Sequence, residues 1–218
     1  MGSLEQHYPV LGLRISAGPL RLSGLDDQTL TELAALAARG IHPPDTMPFA
    51  VPWTRTPAED FHLQFLQHHW RVRADFGPAA RNLDLAVWYE DELVGSQGVA
   101  TRDFLVTRTG ETGSWLGAEF QGRGIGTLMR RTLCAFLFDH LGFEEITSAA
   151  FVNNPASQAV SRRVGYRANG ISRRLQGESC GSSQAFVLTP DALVRGPELS
   201  VTGVGALRRF IGLEPGSG

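Results

Sequence analysis

The chain has 218 residues, 42% of them apolar and 19% charged, which is the length and make-up of one globular domain with a real core. A net charge of −2 at pH 7 excludes a global field that would draw in nucleic acid or an anionic membrane, and no apolar run is long enough for a bilayer helix. Met1 to Pro9 lacks the basic and apolar regions of a signal peptide; Cys134, expected in a helix, and Cys180, expected in a loop, suit a reducing compartment, so the expected location is cytoplasmic.

In chain order, alternation at Leu11, Leu13 and Ile15 predicts a strand from Val10 to Leu22. Asp26 or Asp27 caps a helix running to Arg39, with Leu30, Leu33, Leu36 and Ala37 on one face and Gly40 as its stop. Ile41 to Arg55 holds prolines at 43, 44, 48 and 52, and reads as an ordered loop or lid. Thr56-Pro57-Ala58-Glu59 has the form of a capping box with Pro at the first helical position. The helix it opens carries Phe61, Phe65, Leu66 and Trp70. His62 and His69, seven apart, share a surface face of that helix, with no carboxylate or Cys at ligand spacing, so no metal is expected.

Leu83–Tyr89 and Leu93–Thr101 form a hairpin around Glu90-Asp91-Glu92. Phe104 to Gly117 reads as one or two extended segments broken near Thr109-Gly110. A helix follows up to Gly142, with Leu128, Met129, Leu133, Phe136 and Leu137 as its buried face. Glu145–Phe151 is a strand, Asn154 and Pro155 open a helix that Gly165 closes, and Arg167–Gln176 with Ser183–Leu188 make a final hairpin. Thr189-Pro190-Asp191 starts a turn or short helix, and Val201 to Leu213 reads as a strand-turn-helix. Residues 1–190 are thus one domain; residues 191–218 are an appendage packed on it, with a frayed tail from Glu214 to Gly218. The class is mixed α/β.

The most specific stretch is Gln121-Gly122-Arg123-Gly124-Ile125-Gly126-Thr127, between the strand-like Ser114-Trp115-Leu116 and a helix. Glycines let backbone N–H groups approach a ligand without obstruction. A helix start adds its free N–H groups and positive dipole end, the chemistry of a phosphate site. A P-loop needs Lys after its last Gly, and all twenty basic residues here are Arg; a dinucleotide loop needs Gly where Thr127 stands. The remaining pattern, Gln-x-x-Gly-x-Gly, resembles the coenzyme-A loop of the GNAT N-acetyltransferases. Asn154 through Gly165-Tyr166 resembles that family's second signature, an Asn opening a short helix that ends in Gly-aromatic. The run Glu111-Thr112-Gly113-Ser114-Trp115-Leu116 is similar to the E-I-G-Y-W-L strand of its Rim-type subgroup, which acetylates ribosomal-protein N-termini.

The resemblance implies a GNAT fold: a mostly antiparallel central sheet, splayed between its central strands and flanked by helices, with acetyl-coenzyme A as co-substrate. It implies coenzyme contacts from residues Gln121 to Thr127, from the backbone N–H of Leu116 to the thioester carbonyl, and from Asn154 to the pantetheine arm. Glu111 is the implied base facing the acceptor amine, and Ser157 the donor to the departing thiolate. Many relatives place a Tyr four residues beyond that Ser; here Ser161 occupies the position, so Ser157, Ser161 and water all remain candidates for the acid. Each residue also has a structural reading: Glu111 as a strand-edge surface carboxylate, Ser157 as a capping hydroxyl, Glu119 as an organiser of its loop, Arg162 and Arg163 as a solvated helix face, and Tyr166 as a core residue.

The expected reaction is acetyl transfer to a primary amine by direct attack in a ternary complex, the acceptor being a small-molecule amine or a protein N-terminus, possible also as a homodimer. Two other functions use the same fold. One is aminoacyl transfer from charged tRNA, which needs a basic surface that net charge argues against. The other is a non-catalytic acyl-coenzyme-A sensor, which the tyrosine's absence keeps open and which the retained Glu111 and the intact glycine loop weaken. The Met47-Pro48-Phe49-Ala50-Val51-Pro52-Trp53 loop either stacks on the acceptor or plugs the first two helices onto the sheet.

Overall fold

The computed structural model describes residues 2–77 and 80–213; the tail expected to fray lies outside them. Among the described residues, nine strands form one sheet in the order β7-β8-β6-β5-β4-β3-β2-β1-β9. In chain order the strands are β1 (Arg14–Ala17), β2 (Leu20–Gly24), β3 (Ala80–Tyr89), β4 (Glu92–Arg102), β5 (Thr109–Leu116), β6 (Glu145–Phe151), β7 (Arg167–Gln176), β8 (Ser179–Leu188) and β9 (Ser200–Thr202). The helices are α1 (Leu4–His7), α2 (Asp27–Ala38), α3 (Ala58–Ala74), α4 (Phe104–Thr107), α5 (Ile125–Leu141), α6 (Pro155–Val164) and α7 (Val204–Phe210). This is the mixed α/β arrangement expected, with every described strand pair antiparallel except β5 with β6.

Neighbouring residues of a strand face opposite sides of a sheet, and β5 shows what covers each side. Trp115 meets Phe65 of α3, ring centroids 6.3 Å apart. Ser114 accepts from Arg130 of α5 at 2.8 Å. Helix α3, with α2 packed on it, therefore covers one face and α5 the other. Between them lies a core that includes Leu30, Leu33, Leu85, Phe136, Leu137 and Phe186, all buried.

Several local signals act as expected. The Asp26 side chain accepts from Thr29 N–H at 2.7 Å and caps α2. Glu90 and Asp91 turn the β3–β4 hairpin with positive φ, 51° and 64°. Gly142 and Gly165 end α5 and α6 in the left-handed region.

Other expectations fail for physical reasons. Val10–Leu22 is not one strand: Gly18, with φ 58°, and Pro19 turn it into the β1–β2 hairpin, and Pro9–Gly12 is a 3-10 turn. The Thr56 capping box does not form; Pro57 is the N-cap of α3, and the Thr56 hydroxyl donates to Gln64 Oε1 at 3.4 Å. Phe104–Thr107 is a helical turn between left-handed Asp103 and Arg108, so Thr109 and Gly110 begin β5 rather than break it. Cys180 lies in β8, paired with Leu175, not in a loop.

The segment beyond residue 190 contributes β9, paired with β1 through Ile15–Val201, and α7, whose Leu207 is buried. Tyr8, Phe76 and Phe210 stack edge and face at 5.5–5.9 Å, joining the N-terminal turn, the end of α3 and α7. Asp139 of α5 holds Arg195 through two bonds of 2.6 and 2.9 Å.

Candidate active site

The parallel pairing of β5 with β6 runs from Thr109–Glu145 to Thr112–Ser148 and stops. Beyond that rung the strands part: β5 continues to pair with β4 as far as Leu116, and β6 with β8 as far as Phe151. Gly117 N–H donates to the Val94 carbonyl of β4 at 3.0 Å. Backbone groups alternate in direction along a strand, so the N–H and C=O of Leu116 turn away from β4, into the split. Gln121 Nε2 donates there to the Leu116 carbonyl at 2.9 Å and to the Ile41 carbonyl at 2.6 Å. Its side chain is therefore spent on tying the loop to the strand end and to the loop after α2.

Gly122 (φ 74°) and Gly124 (φ 83°) are both left-handed, and beyond the chain neighbours no heavy atom of the described residues lies within 4 Å of a Cβ built on either. Gly124 is the N-cap of α5. The Thr127 N–H already donates to the Gly124 carbonyl at 3.1 Å. Among the described residues, the N–H groups of Gly122, Arg123, Gly124, Ile125 and Gly126 donate to no main-chain carbonyl. Together with the dipole of the 17-residue α5, they make a positive site, open above Gly122 and Gly124, suited to phosphate oxygens. A Cβ at Gly126 would sit 3.6 Å from Val160 of α6 and 3.7 Å from Leu116 of β5, so loop, helix and strand end converge at the wide end of the split.

At its narrow end lies Arg130, buried on α5. Its guanidinium donates to Ser114 Oγ (2.8 Å), Ser148 Oγ (3.0 Å) and Gln97 Oε1 (3.4 Å). It joins β4, β5 and β6 at and just past their last common rung, Val99–Thr112–Ser148. All three partners are neutral. Burying a cation this way costs several kcal/mol after relaxation (roughly,), and it leaves positive potential in the split that favours a developing negative charge. Nearby, Tyr166 is a core residue: its hydroxyl bonds Thr112 Oγ1 at 3.0 Å and Cys134 Sγ at 3.3 Å, and burial raises its pKa well above the ordinary phenol value. Burial also pushes the Cys134 thiol up to about 11, so it is protonated at neutral pH and is no nucleophile.

Asn154 caps α6, its Oδ1 accepting from Ser157 N–H at 3.1 Å. Ser157 is half-buried in the first turn. Ser161, one turn on, is buried, and its Oγ has no hydrogen-bond partner among the described residues. Arg162 bonds Gln158 within the helix at 3.0 Å. Glu119 takes two bonds from Arg39, 3.0 and 3.2 Å, the loop-organising contact expected of it.

The opposite face of β5 presents Glu111, Gly113 and Trp115. Glu111 is half-exposed, 3.7 Å from Arg174 of β7. Trp115 lies 6.0 Å from Trp53, which also packs on Phe61 and Phe65. Trp53 thus plugs the loop after α2 onto α3 and the sheet. That loop reaches across to the β7–β8 turn, where Gln176 Nε2 donates to the Met47 carbonyl (2.6 Å) and Gly177 N–H to the Ala50 carbonyl (3.3 Å). It roofs a cleft whose floor is β4 and β5. His69 is not on a surface face: it lines this side of α3, 3.5 Å from Asp84 of β3. Nothing local marks Asp84 and His69 in the sequence, because polar alternation along a strand reads as a solvent face. Among the described residues no group of His, Cys, Asp and Glu could hold a metal, and no helix is long and apolar enough to cross a membrane.

The acetyltransferase (GNAT) domain family matches residues 20–167. YdaF of Bacillus subtilis (strain 168), provisionally named a ribosomal N-acetyltransferase, is 32% identical over 91 residues; these are 42% of this chain and 49% of YdaF, so the match spans about half of that relative. A solved structure of RimL, a ribosomal α-N-protein acetyltransferase in complex with coenzyme A, superposes with a TM-score of 0.62 at 17% identity, over 80% of this chain and 96% of that one. RimJ of Mycobacterium smegmatis, in complex with a coenzyme-A disulfide, superposes with a TM-score of 0.63 at 18% identity, over 91% and 92%. The two solved structures share the fold, and the domain match covers both signatures. The chain belongs to the GNAT acetyltransferase family.

Proposed function

We propose that this chain transfers the acetyl group of acetyl-coenzyme A to a primary amine in a ternary complex, with a protein N-terminus as the acceptor. The observation that carries the reading is the split between β5 and β6, with the Leu116 N–H turned into it and the free N–H groups of residues 122–126 at its wide end. Acetyl-coenzyme A supplies a thioester carbonyl. The loop N–H groups and the α5 dipole hold the pyrophosphate, and the Leu116 N–H donates to the carbonyl oxygen as it gains charge. Asn154, its Oδ1 engaged in the cap, has its amide N–H groups for the pantetheine arm.

Glu111 takes the proton that the amine must lose before its lone pair can attack. As the N–C bond forms and the C–S bond breaks, the Ser157 hydroxyl donates to the thiolate. The protein N-terminus is preferred because RimL, named above, carries an α-N-protein acceptor in its name, and because the cleft opens on the Glu111 side of the sheet. Purified protein with acetyl-coenzyme A and hexapeptides bearing a free or formylated N-terminus tests the reading. Thiol release should accompany acetyl addition on the free α-amine alone; thiol release without acetylated peptide, or acetylation of the formylated peptides, would overturn it.

A further inference from the structure

Asp84 of β3, Gly98 of β4 and Gly113 of β5 form one rung across the cleft floor. The Asp84 carboxylate does not stand over its own strand: a Cβ at Gly98 would collide with Asp84 Oδ1, so the carboxylate leans across β4 towards β5. Over Gly113, beyond its chain neighbours, no heavy atom of the described residues lies within 4 Å of a Cβ position. Adjacent strands are about 4.8 Å apart, which puts that space beside Asp84 Oδ1. Glu111 stands two residues along β5, about 7 Å away, and Trp115 closes the other end.

His69 backs Asp84. Its side chain is 10% exposed, and Nδ1 lies 3.5 Å from Asp84 Oδ2 without a hydrogen-bond partner among the described residues. The Phe65 ring holds it at 4.7 Å. The other charged or titratable neighbours leave the carboxylate without a dedicated cation. Arg73 is committed to Asp27 (3.0 Å) and the Leu25 carbonyl (2.9 Å). Burial raises the Tyr8 phenol to about 12, and burial followed by the neighbouring His69 lowers His68. A carboxylate part-way out of water gains most from a cation that arrives on its open side.

We propose that Asp84, positioned by His69 and by the missing side chain of Gly98, is a second carboxylate of the acceptor site and binds the acceptor's ammonium group above Gly113. This rests on the reading of the cleft as the acceptor side. It divides the work between two acids: Asp84 holds the charged amine, and Glu111 receives its proton. It selects acceptors that arrive as cations over alcohols and neutral aryl amines.

Binding is tested before turnover. n-Butylammonium is titrated into the coenzyme-A-loaded protein while the tryptophan indole N–H signals are followed by NMR. The parent should saturate, and Asp84→Asn, equal in shape, should weaken binding about tenfold or more. With a free-N-terminus hexapeptide, Asp84→Asn should raise KM about tenfold or more and change kcat by less than about threefold. His69→Phe keeps the stacking on Phe65 and removes the nitrogen, so it should raise KM with kcat and Tm unchanged. Equal n-butylammonium affinity in the parent and Asp84→Asn, or no binding by the parent, overturns the inference. Asp84-dependent binding without turnover of any peptide leaves it standing and overturns the N-terminal acceptor instead.

Discussion

Gly124→Asp places a carboxylate where the pyrophosphate is proposed to lie, and the structure lets its effect be separated from backbone strain. Gly124 has φ 83° and open space around its Cβ position. Gly124→Ala therefore meets no clash, and it costs only the left-handed conformation, roughly 1–2 kcal/mol of stability. Asp adds one charge to that baseline. A unit charge about 4 Å from another feels about 1 kcal/mol in bulk water and about 4 kcal/mol at the effective dielectric near a protein surface. Coenzyme-A affinity should then fall about five- to thousandfold below that of Gly124→Ala. Isothermal titration of both variants at low and high salt measures the difference, which should shrink as salt screens it. If the two variants bind coenzyme A equally at low salt, the pyrophosphate does not sit at this loop.

Glu111→Gln should lower turnover on the order of 10²-fold while leaving coenzyme-A affinity intact; unchanged turnover across pH removes Glu111 as the base. Ser157→Ala should slow turnover, whereas Ser161→Ala removes a buried hydroxyl that makes no hydrogen bond among the described residues and should leave Tm unchanged or raised. Loss of turnover in Ser161→Ala alone would move the acid one helical turn along α6. The Arg195 hydrogen bonds hold the Asp139 carboxyl below its ordinary pKa, so the pair stabilises the fold above the unfolded carboxylate's pKa, and that contribution is lost as pH falls through the folded one. The pair is partly exposed, so Asp139→Asn should lower Tm by at most about 3 °C at pH 7. The gap should shrink as pH falls below the ordinary carboxylate range; a gap that does not change with falling pH would refute the assignment.

What was legible in the sequence was what short-range chemistry decides. β6 matches its expected bounds, and α6 begins and ends where Asn154, Pro155 and Gly165 place it. The glycine loop was legible because few backbone conformations use glycine at that spacing. Phe104–Thr107 was not, because its helical turn depends on left-handed Asp103 and Arg108, which the apolar run does not signal. Thr56 shows a motif overruled by its own second residue: Pro57 takes the N-cap position and leaves the hydroxyl to find Gln64. The cleft was the least legible part. Asp84, Gly98 and Gly113 lie on three strands, and only the register between those strands makes them neighbours.

The pairing of β1 with β9 also bears on how the chain is made. Ile15 waits for Val201, so during synthesis the outer edge of β1 carries open backbone donors and acceptors until about 180 further residues have been made and β9 has left the ribosome. Contacts so distant along the chain form late and slowly, and an open strand edge is a template for pairing with the wrong molecule. Nascent chains stalled before residue 200 should therefore lean on chaperones more than the finished protein does.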